Sequence, residues 1–226
     1  MKKLTEKDLQ NLFDNISGYY NLMNNFISLG THKTIKTQCI KYLRIKPDYK
    51  ILDLCCGTGD IIEIINSLHT NTEVHGLDFS KKMIEIAKKQ NLNSNFVIGK
   101  TDKLPFKNNY FDIVTISFGL RNVHEKEKTL TEIYRVLKPD GLFMHLDFGE
   151  KNIFNKTFDF IVPAFGKFLV KDFCSYKYLI ESKQKFPEPE SLITYFKSFG
   201  FNFLIRKDFI FKSISMQILK KPLNMH

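Results

Sequence analysis

Apolar residues change their spacing near Pro47, and the change divides the chain into two kinds of structure. From Thr5 to Ile16 and from His32 to Leu43 they recur at three- and four-residue intervals, the period of a helix with one buried face. Asn15 to Gly30, between them, is rich in Asn, Ser, Gly and Tyr and reads as an irregular connection. After Pro47 short apolar runs alternate with helical stretches. Ile51 to Leu54, Glu73 to Leu77, Phe96 to Ile98, Phe111 to Ser117 and Leu142 to Phe148 are the predicted strands. The helices between them run from about Asp60 to Leu68, from a Ser80 cap to about Gln90, and from Lys126 to about Leu137. Lys138-Pro139-Asp140-Gly141 is a predicted turn. Residues 149–186 break the alternation. A helix resumes at Pro189, a residue suited to a first helical position, and stops at Gly200. Phe201 to Ile205 and Phe209 to Leu219 alternate as two last strands, predicted to be an antiparallel edge pair.

Strands alternating with helices predict an α/β fold: a doubly wound, mostly parallel, seven-stranded, Rossmann-like sheet with right-handed crossovers. Residues 1–46 form an N-terminal helical cover, 47–148 the core, 149–187 a segment inserted before the last helix, and 188–226 that helix and the edge strands. All of this reads as one domain. In such folds ligands sit at the carboxyl ends of the strands.

Composition removes several classes of protein. At 226 residues and 43% hydrophobic, the chain is neither disordered nor collagen-like. Four cysteines, two of them the adjacent Cys55 and Cys56, make no disulfide scaffold, and without a Cys-x-x-Cys pair no structural zinc site is expected. The N-terminus runs directly into charge and is not a signal peptide. The longest apolar stretch, Phe160 to Gly166, is interrupted by Pro163, so no spanning helix is expected. The expectation is a soluble, reduced, cytoplasmic protein. Its net charge of +10 is uneven: residues 151–226 hold 13 Lys/Arg against 6 Asp/Glu, and 13 of the 22 Phe. Nucleic acid, an anionic membrane or an acidic ligand would each suit that segment, and charge alone does not choose.

Asp53-Leu54-Cys55-Cys56-Gly57-Thr58-Gly59-Asp60 is the most specific stretch. It sets a Gly-x-Gly turn between a strand and a helix, where missing Cβ atoms let a ligand approach the backbone. A dinucleotide site wants a third Gly where Ile62 stands, which disfavours NAD. Asp78 closes the second strand at the spacing where a carboxylate takes ribose hydroxyls. With Asp53 and Asp60 flanking the turn, the site is acidic. It repels pyrophosphate and suits a sulfonium and an amino group, the features of S-adenosylmethionine. Lys100, Thr101 and Asp102 follow the third strand, where polar groups can meet an adenine edge, and Ser117 ends the fourth strand beside the expected sulfonium.

Beyond these features the chain resembles the class I S-adenosylmethionine-dependent methyltransferases, and within them the ubiquinone/menaquinone biosynthesis C-methyltransferase family. The general likeness lies in the Gly turn, in Gly76-Leu77-Asp78-Phe79-Ser80, and in Leu104-Pro105-Phe106 with Phe111-Asp112. Phe118-Gly119-Leu120-Arg121-Asn122-Val123 and Arg135-Val136-Leu137-Lys138-Pro139 carry the family-specific part. Tyr20 to Asn24, Ser28 to His32, Ser175 to Ser182 and Phe186-Pro187 extend it to roughly residues 12–205. The resemblance implies methylation of a ring carbon of a reduced polyprenyl quinone, benzoquinol or naphthoquinol, without a metal. It implies a cofactor site of Asp53, Gly57, Thr58, Gly59, Asp78, Phe79, Lys100, Thr101, Asp102, Ser117 and Tyr20. Arg121 and Asn122 are expected to face the substrate, with Arg121 stabilising a quinolate and Asp147, at the end of the fifth strand, as the candidate base. Tyr20, Met23 and Asn24 are expected to form a lid, and the Phe-rich insertion, Phe154 to Phe173, a channel for the prenyl tail. Its lysines imply peripheral contact with the inner membrane face. No nucleic-acid partner is expected, and the oligomeric state stays open.

The chain departs from the resembled pattern at four places, one of them a C-terminal strand without the expected Gly pair and basic end. Asn21 stands where Asp is usual, Asp140 replaces the first Gly of a Lys-Pro-Gly-Gly turn, and Asp147 takes a position commonly Glu. Three rivals remain: an RNA methyltransferase, which the basic C-terminal segment suits; a non-catalytic S-adenosylmethionine binder; and a dinucleotide oxidoreductase. Scattered lysines, the intact Arg121-Asn122 pair and the missing third Gly weigh against them in turn.

Overall fold

A computed structural model describes residues 5–20, 30–151 and 173–223. The strands are β1 (Lys50–Leu54), β2 (Glu73–Asp78), β3 (Asn95–Ile98), β4 (Phe111–Ser117), β5 (Leu137–Phe148), β6 (Asn202–Phe209) and β7 (Ile214–Lys220). They form one sheet in the order β3-β2-β1-β4-β5-β7-β6, in which β7 alone runs antiparallel to its neighbours. The helices are α1 (Glu6–Ile16), α2 (His32–Tyr42), α3 (Asp60–Leu68), α4 (Lys81–Gln90), α5 (Lys126–Val136), α6 (Phe173–Lys185) and α7 (Pro189–Ser198). The strand order reverses between β1 and β4, which opens a crevice at their carboxyl ends.

Each face of the sheet has its own apolar layer. Ile51, Ile113, Met144 and Ile218 pack with Ile40 of α2 and Ile62 and Ile65 of α3. Leu52, Leu54, Val114, Ile116 and Phe143 pack on the other face with Leu130 and Ile133 of α5 and Phe196 of α7. Burying each such side chain contributes about 2 kcal/mol, which sets the two helical layers firmly against the strands. Local signals agree with this arrangement. Ser80 accepts a hydrogen bond from the Met83 amide and so starts α4, while Thr5 and Asp8 exchange bonds in a capping box that starts α1. Among the described residues no helix is long and apolar enough to cross a membrane.

Two predicted boundaries moved. The turn at Lys138–Gly141 does not interrupt β5 but loops out of it as a bulge: Phe111 pairs with Leu137 and Ile113 next with Leu142. The predicted break between the last two strands lay at 206–208. In the structure β6 continues to Phe209, and Ile210, Phe211 and Lys212, all left-handed, make the turn. The charged run Arg206-Lys207-Asp208 reads as loop, yet Arg206 bonds to Glu190, Glu150 and Asp208 along a solvated sheet edge. Of the last two strands only β6 lies at the edge.

Asp140 has φ 70°, the conformation that the Gly of the resembled turn would adopt without strain. Its Lys220 ion pair is half exposed and contributes little. Asp140→Gly is therefore expected to stabilise the fold by about 0.5–1 kcal/mol, read as a higher urea midpoint. An unchanged or lower midpoint would show that the bulge is not strained.

Candidate functional site

The chain leaves β1 through a turn in which every second residue is left-handed: Cys55 at φ 53°, Gly57 at 54° and Gly59 at 89°. A neighbouring left-handed residue, Phe118 at 54°, ends β4 across the crevice. Non-glycine residues in this conformation cost about 1–3 kcal/mol and gather at functional sites. Gly59 is required for a reason the sequence does not show. A Cβ there would lie 2.7 Å from Asn91 Nδ2 and 3.3 Å from Ala87, so the position keeps α3 close to α4. A Cβ on Gly57 would meet the ring of Tyr20 at 3.7 Å, which places Tyr20 over the turn. Met23 and Asn24, the rest of the expected lid, lie outside the described residues.

Asp78 ends β2 with one oxygen accepting the Gly57 amide and the other the Ser80 amide, both at 2.9 Å. Burial pushes its carboxyl up to about 6 against the pull of those amides. Burial likewise pushes Asp53 up to about 7, although Thr115 donates a 2.6 Å bond to it. Asp60 behaves differently. Burial acts to raise it, but Lys36 Nζ at 2.8 Å overrides that and holds it below its ordinary value. The buried Lys36–Asp60 pair ties α2 to the first residue of α3, and neither Lys36 nor Thr115 carried a signal in the sequence.

A narrow cleft, open on one side, lies beside this turn. Of the expected cofactor residues, Asp78, Phe79, Lys100, Thr101 and Asp102 line it together, and Asn122 joins them. Asp53, Gly57, Thr58, Gly59, Ser117 and Tyr20 do not; they form or buttress its turn and neighbouring strand ends. Cys55, Gly119, Val123, His124 and Glu125 line the cleft without having been predicted, as do Glu6 and Leu9 of α1. The apolar spacing over Thr5 to Ile16 gave α1 a buried face but could not say against what. Gln10 donates to the Phe79 carbonyl and Phe13 stacks edge-on against Phe79, so α1 closes the cleft rather than merely covering the core.

A second centre stands behind the cleft. Arg121 Nη1 bonds to Asp147 Oδ1 at 2.8 Å and to the Phe118 carbonyl at 2.7 Å, and the Phe148 amide donates to the same Asp147 oxygen. Both side chains are nearly closed to solvent, at 8% and 0%. Asn122 Oδ1 accepts from Tyr178 of α6 at 2.9 Å, a partner missed because the insertion gave no register. Burial raises the Tyr178 phenol above its ordinary value, with Asp147 acting the same way and Arg121 against it. Arg121 Nε, Asp147 Oδ2 and Ser117 Oγ are buried without partners among the described residues. The three residues expected to act on a substrate thus stand at one place, but lock to one another or to α6.

This donor set fits S-adenosylmethionine. Three buried carboxyls surround the turn, two of them short of a cation, and the cleft is lined by polar groups at the ends of β2 and β3. A cationic ligand favours the ionised carboxyls, so affinity for S-adenosylmethionine is expected to rise with pH through 6 to 7. The slope should approach tenfold per unit for each proton released. Without ligand the same shifts run the other way, lowering stability as pH rises from about 4, the unfolded value, to 7. Titration calorimetry in buffers of different ionisation enthalpy checks the binding: no proton release near pH 6.5 would remove these carboxyls from the cation's site.

Comparison with known proteins agrees with this geometry. The sequence profile of the ubiE/COQ5 methyltransferase family matches residues 1–218. The demethylmenaquinone methyltransferase of Staphylococcus saprophyticus is 38% identical over 210 residues, covering 88% of this chain and 90% of the relative. That of Lactiplantibacillus plantarum is 39% identical over 207 residues, covering 86% and 87%. Among solved structures, the cyclase SpnF superposes with a TM-score of 0.73 at 13% identity, covering 97% of each chain. An S-adenosylmethionine-dependent methyltransferase from Thermotoga maritima gives 0.69 at 18%, covering 93% of this chain and 99% of that one. A cyclase and a methyltransferase on one scaffold show that this likeness speaks for the fold alone. The profile match and the curated relatives go further, and on them the chain belongs to the ubiE/COQ5 methyltransferase family.

Proposed function

We propose that the chain transfers the methyl group of S-adenosylmethionine to a ring carbon of a reduced demethylated naphthoquinone, demethylmenaquinol. The observation that carries this reading is the unfinished bonding of the Arg121–Asp147 pair. One bond joins Nη1 to Oδ1, leaving Arg121 Nε as a donor and Asp147 Oδ2 as an acceptor, both buried. A donor and an acceptor on one ion pair are the complement of a hydroxyl, which accepts from one and donates to the other. The names of the bacterial relatives favour the naphthoquinol over the benzoquinol.

The residues divide the work. Asp78, Phe79, Lys100, Thr101 and Asp102 hold the cofactor from the cleft wall, while Asp53, which has no cation of its own as Asp60 has in Lys36, attracts its positive end. When bound, S-adenosylmethionine supplies an already activated methyl group, so the protein need only align the reactants and stabilise charge. Arg121 holds the hydroxyl oxygen as it loses its proton, when electron density moves onto the adjacent ring carbon. Asp147 orients the guanidinium and receives that proton on Oδ2. Asn122, fixed by Tyr178, borders the cleft and orients the ring. Held reactants of this kind contribute several kcal/mol toward the barrier.

Incubation with labelled S-adenosylmethionine and, in parallel, reduced short-chain demethylmenaquinone, a benzoquinol and bulk tRNA tests the reading. Label is expected in the naphthoquinol; label in tRNA alone would overturn it. Peripheral contact with an anionic membrane face is part of the same proposal and rests on the basic, Phe-rich segment of the sequence. The tail-channel residues Phe154 to Phe168 lie outside the described residues. Flotation with anionic liposomes at low salt is the check, and no binding there counts against the contact.

A further inference from the structure

A second concavity, a groove of about 890 Å³, lies at the end of the sheet opposite the cofactor cleft. The amino ends of the parallel strands build it. Tyr49 stands just before β1, Asp112 and Lys138 open β4 and β5, and Leu204 and Ile205 lie early in β6. Lys220, the last residue of the antiparallel β7, reaches the same end. The close of α2 and the connection that leaves it supply the rest of the wall through Lys41, Tyr42, Arg44 and Lys46. None of these residues belongs to the cleft or to the Arg121–Asp147 centre.

Among the described residues five cations and two carboxylates line the groove, and ion pairing leaves the excess on one side of it. Lys138 bonds to both oxygens of Asp112 at 2.8 Å, and Lys220 lies 2.6 Å from Asp140. Lys41, Arg44 and Lys46 are exposed and have no carboxylate within 4.0 Å among the described residues. Lys41 can serve the last carbonyls of α2, but Arg44 and Lys46 lie beyond the helix. Arg44 is also left-handed, at φ 47°, in the position after the helix cap where glycine is usual. The fold bears that strain and keeps a guanidinium there. Beside these charges stand apolar side chains that water still reaches. Tyr42, Leu204 and Ile205 are 39%, 46% and 38% exposed, three of the eight large apolar side chains so exposed among the described residues. Ile205 pairs with Ile218, which belongs to the apolar layer packed on α2, so it faces the side that carries the three cations. Beyond it β6 has no further strand. Exposed apolar patches rimmed by polar groups mark interaction sites.

We propose that this groove docks an acidic peptide segment of a partner protein. Apolar side chains of the segment lie on Tyr42, Leu204 and Ile205, and its carboxylates meet Lys41, Arg44 and Lys46. The shape and the mixed wall select this occupant. A bilayer is met by a protruding apolar surface, whereas these apolar side chains line a hollow. The groove also lies at the far end of the sheet from the cleft that a membrane-borne substrate must reach. A nucleic acid would bring an unbroken row of phosphates past Asp112 and Asp140 as well as past the cations. A peptide can space its charges to meet the cations and put leucine-like side chains on the apolar wall. Because the groove and the cleft share no residue, the partner is held while the cleft stays open, whatever reaction the cleft performs.

The test measures fluorescence polarisation of short labelled peptides with the full chain. A peptide of glutamate and leucine is expected to bind about tenfold or more tightly than a glutamate–serine or a lysine–leucine peptide of the same length. Binding should weaken with salt, since the charges it uses are exposed. Lys41→Gln/Arg44→Gln/Lys46→Gln should weaken it about tenfold, and Leu204→Thr/Ile205→Thr by a similar factor. Asp140→Gly works in the other direction: it frees Lys220 and should tighten binding about two- to threefold. Affinity for S-adenosylmethionine should stay the same in all three variants, and cooperative urea unfolding shows that each is folded. Equal binding of the glutamate–serine peptide, indifference to these substitutions, or no binding at all overturns the inference. Phosphatidylglycerol vesicles and an oligouridylate are run in parallel. Binding of either that is lost in the Lys41/Arg44/Lys46 variant and survives excess glutamate–leucine peptide would give the groove to that ligand and overturn the peptide assignment.

Discussion

Arg121→Ala is expected to lower kcat for quinol methylation by about 10²–10³-fold, the loss seen when one preorganised donor to a developing oxyanion is removed. Affinity for S-adenosylmethionine should stay within about threefold, because Arg121 does not line the cleft. The same substitution strands Asp147, fully buried, without its counter-charge, at a cost of about 3–5 kcal/mol in stability. The two effects separate in the double variant Arg121→Ala/Asp147→Asn. Neutralising the carboxyl should recover most of the stability and none of the turnover. If the double variant regained activity along with stability, Arg121 would be a structural residue only, and the hydroxyl-complementing pair would lose its part in the reaction. Stability is read from urea unfolding, turnover from labelled methyl transfer, and affinity from calorimetry.

Asp78→Asn should weaken S-adenosylmethionine binding about 10–100-fold, through the loss of charged hydrogen bonds of about 1.5–3 kcal/mol each. The variant keeps one acceptor oxygen where the carboxylate used two, so either the Gly57 or the Ser80 amide loses its partner. Stability is expected to move little. Burial has pushed the carboxyl to about 6, two units above its unfolded value, so the neutral variant avoids about 2–3 kcal/mol of keeping it ionised at pH 7, which offsets about 1–3 kcal/mol for the amide left without an acceptor. A variant that binds poorly with its urea midpoint little changed would identify Asp78 as a residue that meets the ligand. Equal affinity in variant and parent would remove it from the ligand.

How much of the site was legible depended on how local its signals are. The Gly turn and Asp78 declare themselves because a strand–turn–helix junction restricts residue types over a few positions. Arg121-Asn122 stood out only as part of a contiguous run. The meeting of Arg121 with Asp147 was not legible, because it spans β4 and β5 and requires the register in which Ser117 pairs with Leu146. Gly59 shows the limit from the other side. Its need for glycine was plain, yet the reason lies in Asn91 and Ala87 of the following helix.

Periodicity, turn residues and short-range spacing, all properties of neighbours along the chain, determined the α/β alternation, most strand boundaries and the acidic turn. Only the tertiary structure decided which of those residues share a wall, because burial and charge pairing depend on distances through space. It put α1 over the cleft, drew Lys36 onto Asp60, and aligned His145, Gln217, Ser215 and Asp208 across three strands. Lys36, Gln217, Ser215 and Asp208 are each unremarkable in their own stretch of sequence. Their chemistry comes from losing water together, which changes what a carboxyl or an imidazole will hold.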